Sequence, residues 1–457
     1  MKLRDKATLL LITGDLVLAF GSVYAGYALR FGSAPFSTAE GTPLTLVQPP
    51  FFAAALLFAS FFSELYDRDK VRNGRERALR VGMGLVTSLL VLSVLYYAAP
   101  AISIGRGFLL LSTTIFGVAQ FLWHSAFTAL INSESLVRKV LVLGTGLVAQ
   151  KIGGLIRATN HQHVLRGYYS CDHEASAVPP DEIVGAGAGL VDVVRREKPQ
   201  KIVVSLTERR GNLPVRDILS CKLSGIEVVD APSFYEQMTG KLLLEDLRPS
   251  WLIFSDGFRV TAGMRLYKRA FDLLAAVAGL ALTLPALPLI ALAIVLDSSG
   301  PVFFRQERVG EGERSFFLYK FRTMRKDAES GTGAVWAQKD DQRVTRVGRF
   351  LRKARLDELP QLWNVLKGEM SLIGPRPERP EFVEQLKAII PFYSERHVVK
   401  PGITGWAQIK YPYGASVQDA IEKLQFDLFY IKNLSPLLDC LIVLETIKVM
   451  LFGRGGR

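Results

Sequence analysis

Four apolar stretches crowd the first third of this chain, at about Ala7 to Leu29, Pro50 to Tyr66, Val81 to Ala99 and Gly107 to Ile131, and nothing else restricts its fold so much. A bilayer core takes about 20 apolar residues in a helix, and three of the four reach that length. The second is short and opens on Pro49 and Pro50. The charges between them set a direction. Lys2, Arg4 and Lys6 precede the first stretch, while Arg68, Lys70, Arg72, Arg75, Arg77 and Arg80 separate the second from the third. The other two loops carry few charges. Basic loops stay on the cytoplasmic side, so both ends of a four-helix transmembrane unit, residues 1–135, are expected inside. A cleaved signal peptide would explain the first stretch alone, but three further spans follow and no clear small-residue cleavage site is present.

Lys and Arg number 56 against 43 Asp and Glu, a formal net charge of +13, yet 49% of the 457 residues are hydrophobic and only 22% charged. A nucleic-acid binder of that charge would be more polar, and a purely membranous chain would carry fewer charges. Unlike parts are therefore joined: apolar membrane segments and a charged soluble region. Nucleic acid is not an expected partner, and the apolar fraction excludes disorder of the bulk. Cys171, Cys221 and Cys440 give neither a disulfide framework nor a zinc pattern. The five histidines form no H-E-x-x-H helix, and His161 with His163 reads as a surface pair. Neither a G-x-x-x-x-G-K-[ST] loop nor a G-x-S-x-G elbow occurs. The bulk reads as cytosolic and reduced.

A fifth apolar run, Leu273 to Val295, carries Pro285 and Pro288 in its middle, where each removes a backbone donor and crowds the preceding turn. Lys268 and Arg269 flank it on one side and a strongly basic segment follows on the other. A crossing would put that basic segment outside, against the charge rule. A helix that enters, breaks near the prolines and leaves on the same side satisfies both observations; a kinked span and a buried core helix are the alternatives.

Between these membrane parts the pattern changes. Lys139 to Leu143, His163 to Tyr169, Lys201 to Leu206 and Ile226 to Val229 read as strands, with helical patterns between them, which predicts a parallel α/β sheet. Gly144, Gly146 and Ala149 give G-x-G-x-x-A at a strand-to-helix turn, a hint of nucleotide binding. Asp172 stands late for a ribose-binding carboxylate, and no Tyr-x-x-x-Lys pair accompanies the glycines. A structural or regulatory sheet domain is the better reading. Arg248–Pro249 marks its end.

Chemistry concentrates further on. Between Arg305 and Arg355 there are 14 Lys or Arg against 7 Asp or Glu, a solvated face or one resting on anionic lipid by default. In Tyr319-Lys320-Phe321-Arg322-Thr323-Met324 a strand would point Lys320 and Arg322 to one side. Arg343, Arg346, Arg349, Arg352 and Arg355 recur every third residue, a basic stripe if helical. The stripe runs into Leu356-Asp357-Glu358-Leu359-Pro360-Gln361. Neighbouring helical carboxylates point about 100° apart, so one could face a phosphorus while the other holds a cation; the plainer reading is an acidic first turn favoured by the helix dipole. Ser371-Leu372-Ile373-Gly374-Pro375-Arg376-Pro377 and Lys400-Pro401-Gly402-Ile403-Thr404-Gly405-Trp406 are stiff loops offering cations and backbone amides, which suits a diphosphate, though either could be a plain turn.

In these blocks, taken in order, the chain from about residue 265 resembles the catalytic domain of the bacterial polyprenyl-phosphate sugar-1-phosphate transferases, the monotopic phosphoglycosyl transferases. The matching residues are Lys320-Phe321-Arg322, Leu356 to Gln361, Gly374 to Pro377 and Lys400 to Gly405. The whole chain is similar to the long form of that family. It is most similar to the exopolysaccharide-associated sugar transferases, including Tyr411-Pro412-Tyr413-Gly414 and Leu451-Phe452-Gly453-Arg454-Gly455. The resemblance implies a re-entrant membrane helix over 268–297 broken at Pro285, with Leu284 where some members have Ser. It also implies that Asp357 is the nucleophile of an Asp–Glu dyad and that Mg²⁺, held by Asp357 and Glu358, is required.

The fold expected is a membrane protein, α plus α/β. It has a four-helix transmembrane unit, a Rossmann-like parallel α/β domain over 136–248, a linker over 249–264 and an α-rich catalytic domain over 265–457. By resemblance, a sugar-1-phosphate passes from a nucleoside-diphosphate (UDP) sugar to polyprenyl (undecaprenyl) phosphate through a covalent aspartyl intermediate, as the first membrane step of exopolysaccharide synthesis. Glu358 is expected to hold the metal or steer a proton, and Lys320, Arg322, Arg355, Arg376 and Lys400 to neutralise phosphate. Expected partners are both substrates and anionic membrane lipid; a homo-oligomer is left open. The expected location is the bacterial inner membrane, with the soluble domains in the cytoplasm. Two other classes compete. A membrane-anchored nucleotide-binding sensor or scaffold rests only on Gly144 and Gly146. A transporter is opposed by spans nearly free of ionisable residues beyond Asp15 and Glu64.

Overall fold

The computed structural model describes residues 6–32, 47–66, 71, 73–131, 138–158, 163–171, 175–187, 189–206, 213–244, 255, 257–325, 343–411, 414 and 416–451. Lys2, Arg4, Arg68, Lys70, Arg72, His161, Asp172, Arg248–Pro249, residues 250–254 and 256 of the expected linker, Pro412–Tyr413 and the closing Phe452–Gly455 lie outside the described residues.

The N-terminal unit holds helices α1 (Lys6–Phe31), α2 (Gln48–Phe62), α3 (Gly74–Ala98) and α4 (Arg106–Ile131). α1 packs on α2 and α4, and α3 packs on the same two. Three of them are long and apolar enough to cross a membrane. α2 is apolar but has 15 residues, fewer than the roughly 20 that a full crossing takes. Prolines at its first positions set its start, and the left-handed Glu64 (φ 60°) follows its end. Arg75, Arg77 and Arg80 fall inside α3 rather than in a loop. Asp15, one of the few ionisable residues of these helices, sits in a polar cluster. It is fully buried and accepts hydrogen bonds from Tyr66 Oη (2.8 Å) and Gln120 Nε2 (2.6 Å), with His124 Nε2 at 3.1 Å.

The second unit begins with a five-stranded sheet in the order β3-β2-β1-β4-β5. Its strands are β1 (Arg138–Leu143), β2 (His163–Ser170), β3 (Ile183–Ala186), β4 (Lys201–Val204) and β5 (Glu227–Asp230). β1–β4, β2–β3 and β4–β5 pair in parallel. Helices α5 (Leu147–Ala158), α6 (Leu190–Glu197), α7 (Val215–Leu223) and α8 (Ala231–Thr239) complete it. Strands covered on both faces read as unbroken apolar runs. That is why Val140 and Val142 enter one core while Leu141 and Leu143 enter another.

The remainder starts with two apolar helices, α9 (Ala262–Thr283) and α10 (Ala286–Asp297), bent by 64° at Leu284–Pro285. An antiparallel hairpin, β6 (Phe303–Val309) and β7 (Ser315–Phe321), follows. Then come α11 (Arg346–Lys353), a 3₁₀ turn (Leu356–Glu358), α12 (Gln361–Lys367), β8 (Ser371–Ile373) and α13 (Pro380–Ile389). A second 3₁₀ segment (Tyr393–Val398), β9 (Gly402–Thr404), α14 (Trp406–Lys410), α15 (Val417–Lys432) and α16 (Pro436–Leu451) end it. The expected basic stripe is shorter than its spacing implied. Only Arg346, Arg349 and Arg352 lie on α11; Arg343 stands before it, and Arg355 follows it in the left-handed region.

Candidate active site

The Asp357–Glu358 pair sits in a one-turn 3₁₀ segment between two helices. Arg355, at φ 59°, turns the chain into it, a conformation that costs a non-glycine residue about 1–2 kcal/mol. Asn364 fixes the far side: its amide donates to Phe317 O (2.7 Å) and its Oδ1 accepts from Tyr319 N (3.2 Å). α12 is thereby tied to β7, and Lys320 is delivered to the dyad.

Both carboxylates are 8% exposed, but their surroundings differ. Glu358 Oε1 takes Lys320 Nζ at 3.3 Å and Arg376 Nη2 at 3.1 Å, while Oε2 meets Arg355 only at 4.0 Å. Burial alone would raise its pKa, yet Lys320, Arg376 and Arg355 together hold it down to about 2. Glu358 is a fixed anion. Asp357 makes no hydrogen bond or ion pair among the described residues. Burial raises its pKa above the ordinary aspartate value, against the pull of Lys320. Burial lowers the Lys320 pKa, with Glu358 opposing; Glu358 raises that of Arg376. A buried carboxylate with no hydrogen bond or ion pair among the described residues, beside cations bound to its neighbour, has the chemistry that nucleophilic attack on a phosphate group requires.

Arg376 is presented by a stiff support. β8 pairs with β9 (Ser371↔Gly402, Ile373↔Thr404). Gly374 N donates to Thr404 O (2.9 Å) and Gly402 N to Pro375 O (2.8 Å). A side chain at Gly402 would run into the Gly374 backbone, so the two motif loops approach as closely as glycine permits.

Of the residues expected at phosphate, Lys320, Arg355 and Arg376 gather at the dyad and two do not. Arg322 donates to Ser298 O (2.5 Å), Ser298 Oγ (3.0 Å) and Ser299 O (2.8 Å). These bonds tie it to the C-terminal end of α10; it lies one residue past Phe321, the last paired residue of β7. The Lys400 ammonium points toward Gly368, where the Arg269 guanidinium also lies, at the C-terminal end of α12. Arg269 donates there to Val365 O and Leu366 O (2.7 Å each). Two cations thus meet the negative end of that helix, the end remote from the dyad.

Three contributors were missed. Arg352, on α11, adds its field to Asp357; its place in the stripe was the available signal. Arg308 donates to Pro377 O (3.0 Å). Arg396 is buried and donates to Arg376 O (3.0 Å) and Asp427 Oδ2 (2.8 Å). No spacing pattern marks either of these. Gly144, Thr145 and Gly146 occupy the β1–α5 turn but are buried, with the Thr145 carbonyl taken by Ala177 N (2.7 Å).

Residues 263–453 match the family model described as bacterial sugar transferase. The chain is 46% identical over 243 residues to a UDP-N-acetylgalactosamine-undecaprenyl-phosphate N-acetylgalactosaminephosphotransferase of Aeromonas hydrophila, covering 53% of this chain and 56% of that one. It is 37% identical over 331 residues to an undecaprenyl-phosphate glucose phosphotransferase of Komagataeibacter xylinus, covering 71% and 61%. These matches span little more than half of each relative's own length. With the exopolysaccharide production protein PSS of Rhizobium leguminosarum bv. phaseoli the identity is 39% over 185 residues, 39% of this chain and 92% of that one. With its Asp–Glu turn, its Pro-Arg-Pro loop and these matches, the chain belongs to the bacterial sugar transferase family.

Proposed function

We propose that this protein transfers a sugar-1-phosphate from a UDP-sugar to undecaprenyl phosphate at the cytoplasmic face of the bacterial inner membrane, as the first membrane step of exopolysaccharide synthesis. The observation that carries the reading is the asymmetry of the dyad: Glu358 is bound by two cations, and Asp357 is buried beside them with no hydrogen bond or ion pair among the described residues. The names of the relatives supply the substrate classes.

Asp357 attacks the phosphorus nearest the sugar. The bond from that phosphorus to the bridging oxygen breaks, and the nucleoside monophosphate leaves with that oxygen. A sugar-phosphoryl aspartate remains. An oxygen of the polyprenyl phosphate then attacks the same phosphorus, and the Asp357 carboxylate is released as the polyprenyl diphosphate sugar forms. Lys320 and Arg376 stand where charge moves onto the leaving phosphate in the first half and onto the carboxylate in the second. Glu358 keeps both cations in place and stays ionised throughout.

The donor set suits Mg²⁺, which takes one or two carboxylates and completes its shell with substrate phosphates and water. Asp357 and the Glu358 Oε2, the oxygen not held by Lys320 or Arg376, would hold it. When bound it would offset diphosphate charge.

We read the α1–α4 unit as the membrane anchor and α9–α10 as a re-entrant hairpin. Both ends of the hairpin are fastened to the same soluble body. Near its start, Lys268 donates to Ile373 O (3.1 Å) and pairs with Asp439 (3.2 Å). At its end, Arg322 holds Ser298 and Ser299, and Asp297 Oδ2 accepts from Val347 N (3.0 Å). A spanning helix would separate its ends by the bilayer. Between these anchors Leu274, Leu282, Leu289 and Leu296 are exposed, an apolar surface that suits lipid.

The test is to incubate membranes carrying the chain with undecaprenyl phosphate and UDP-glucose, UDP-N-acetylgalactosamine or UDP-galactose. UMP release that requires the lipid and disappears in Asp357→Asn is expected. Release undiminished in that variant would sink the nucleophile assignment.

A further inference from the structure

Among the described residues, two sets of contacts between the sheet domain and the transferase segment lead to Arg376. In the first, the buried Trp406 donates its indole Nε1–H to Gly240 O (2.8 Å), the residue that ends α8 at φ 70°. The indole also stacks on Phe429, with centroids 5.8 Å apart. Trp406 directly follows Gly405 and β9. That backbone grips Gly374 and Pro375 through the Thr404 O and Gly402 N bonds, and the next residue is Arg376. In the second, Glu236 on α8 accepts from Lys432 (2.5 Å) and Asn433 (2.9 Å) at the end of α15. Lys241 pairs with Glu422 (2.6 Å), and Leu242 N donates to Gln425 O (3.1 Å). α15 also carries Asp427, which holds Arg396, and Arg396 donates in turn to the Arg376 carbonyl.

We propose that Trp406 is a positioning residue: anchored on Gly240 of the sheet domain, it sets the β9 strand and hence the Arg376 guanidinium against Glu358. The sheet domain then governs the active site without touching substrate. A passive tether would need none of these bonds to converge on one arginine. The geometry required is narrow, because a charge-assisted bond falls off steeply with small displacements of its donor.

The inference rests on the transferase reading, and the experiment separates the two. UMP release by the full chain in membranes is measured for wild type, Trp406→Phe, Arg376→Lys and the double variant. Phe loses the bond to Gly240 and keeps an aromatic ring for the stack on Phe429 and for the Lys410 ammonium 4.6 Å from the indole. The loss of one hydrogen bond corresponds to a drop in kcat of roughly 3- to 10-fold, expected with little change in KM for the nucleotide sugar. In the Arg376→Lys background the same substitution is expected to cost less than about twofold, since its effect passes through Arg376. An equal loss in both backgrounds, or no loss in wild type, overturns the positioning role. No release by wild type with any donor overturns the transferase reading and the inference with it. Should Trp406→Phe fail to accumulate, Glu236→Gln opens the second set of contacts, and the same non-additivity with Arg376→Lys is expected.

Discussion

Lys320 Nζ stands 3.3 Å from Glu358 Oε1, the same oxygen that receives Arg376 Nη2 at 3.1 Å. One carboxylate oxygen thus joins the end of a β-hairpin, a one-turn 3₁₀ segment and a Pro-bracketed loop. Asp357, one residue away, has no such bond. The two acids should therefore answer differently to the loss of charge.

Glu358→Gln leaves two cations facing a neutral amide. Breaking a buried pair from one side costs about 3–5 kcal/mol. Arg376 is partly exposed and recovers some hydration, so a loss of roughly 2–3 kcal/mol is expected. Asp357→Asn removes a carboxylate that burial disfavours, so its stability should equal or slightly exceed that of wild type. Both variants lose transfer. Thermal unfolding in detergent separates them, and equal destabilisation would contradict the asymmetry.

The acid limb of the rate follows Asp357. The nucleophile must be ionised, and burial raises its pKa above the ordinary value of 3.8, so kcat/KM should begin to fall at a pH above that of a free aspartate. Arg376→Gln removes one of the charges that favour the ionised form and should move the limb further up. Glu358, held at about 2, contributes nothing in this range. A pH profile of UMP release measures both, and a limb at or below 3.8 would refute the burial argument.

His397 gives the fold a separate pH dependence. It is 7% exposed, faces Glu313 at 3.8 Å and lies beside Arg396, Lys387 and Tyr393. Burial, helped by Arg396, lowers its pKa from 6.5 to about 4. Below pH 6.5 the unfolded chain takes up the proton first, so it binds more protons than the folded one down to about pH 4. Stability is complete above 6.5 and is lost as pH falls through that window, by on the order of 3 kcal/mol. His397→Asn should flatten the slope of urea midpoint against pH between 6.5 and 4.

Periodicity made the apolar helices and the sheet strands legible, because burial on both faces leaves unbroken runs such as Val140–Leu143. The dyad and Arg376 were legible through the ordered blocks of the family resemblance; alone, Asp357-Glu358 read as an acidic first turn and the Arg376 loop as a plain turn. Side-chain direction was not. Arg322 lies one residue past Phe321, the last paired residue of β7, so the alternation that placed it beside Lys320 no longer applied. The Lys400 ammonium lies beside Gly368 at the end of α12, while its motif meets the Arg376 loop through backbone bonds. Arg396 acts from a 3₁₀ segment through a carbonyl, a contact that only tertiary structure creates. α2 showed its shortness in advance, in the prolines that open it.

The place of Arg322 yields the last prediction. If it closes α10, its substitution should weaken the hairpin and leave nucleotide binding alone; if it bound phosphate, the reverse would hold. Arg322→Lys keeps the charge but cannot reproduce a fork that reaches Ser298 O, Ser298 Oγ and Ser299 O together. Arg322 itself is 6% exposed, but Ser298 is half-buried and Ser299 exposed, so the carbonyls it abandons regain some hydration and a loss of about 1 kcal/mol is expected. KM for the UDP-sugar should stay within about twofold of wild type, because no contact of Arg322 lies at the dyad. Stability is read by unfolding in detergent and KM by UMP release from the same preparation. A raised KM with unchanged stability would return Arg322 to the substrate.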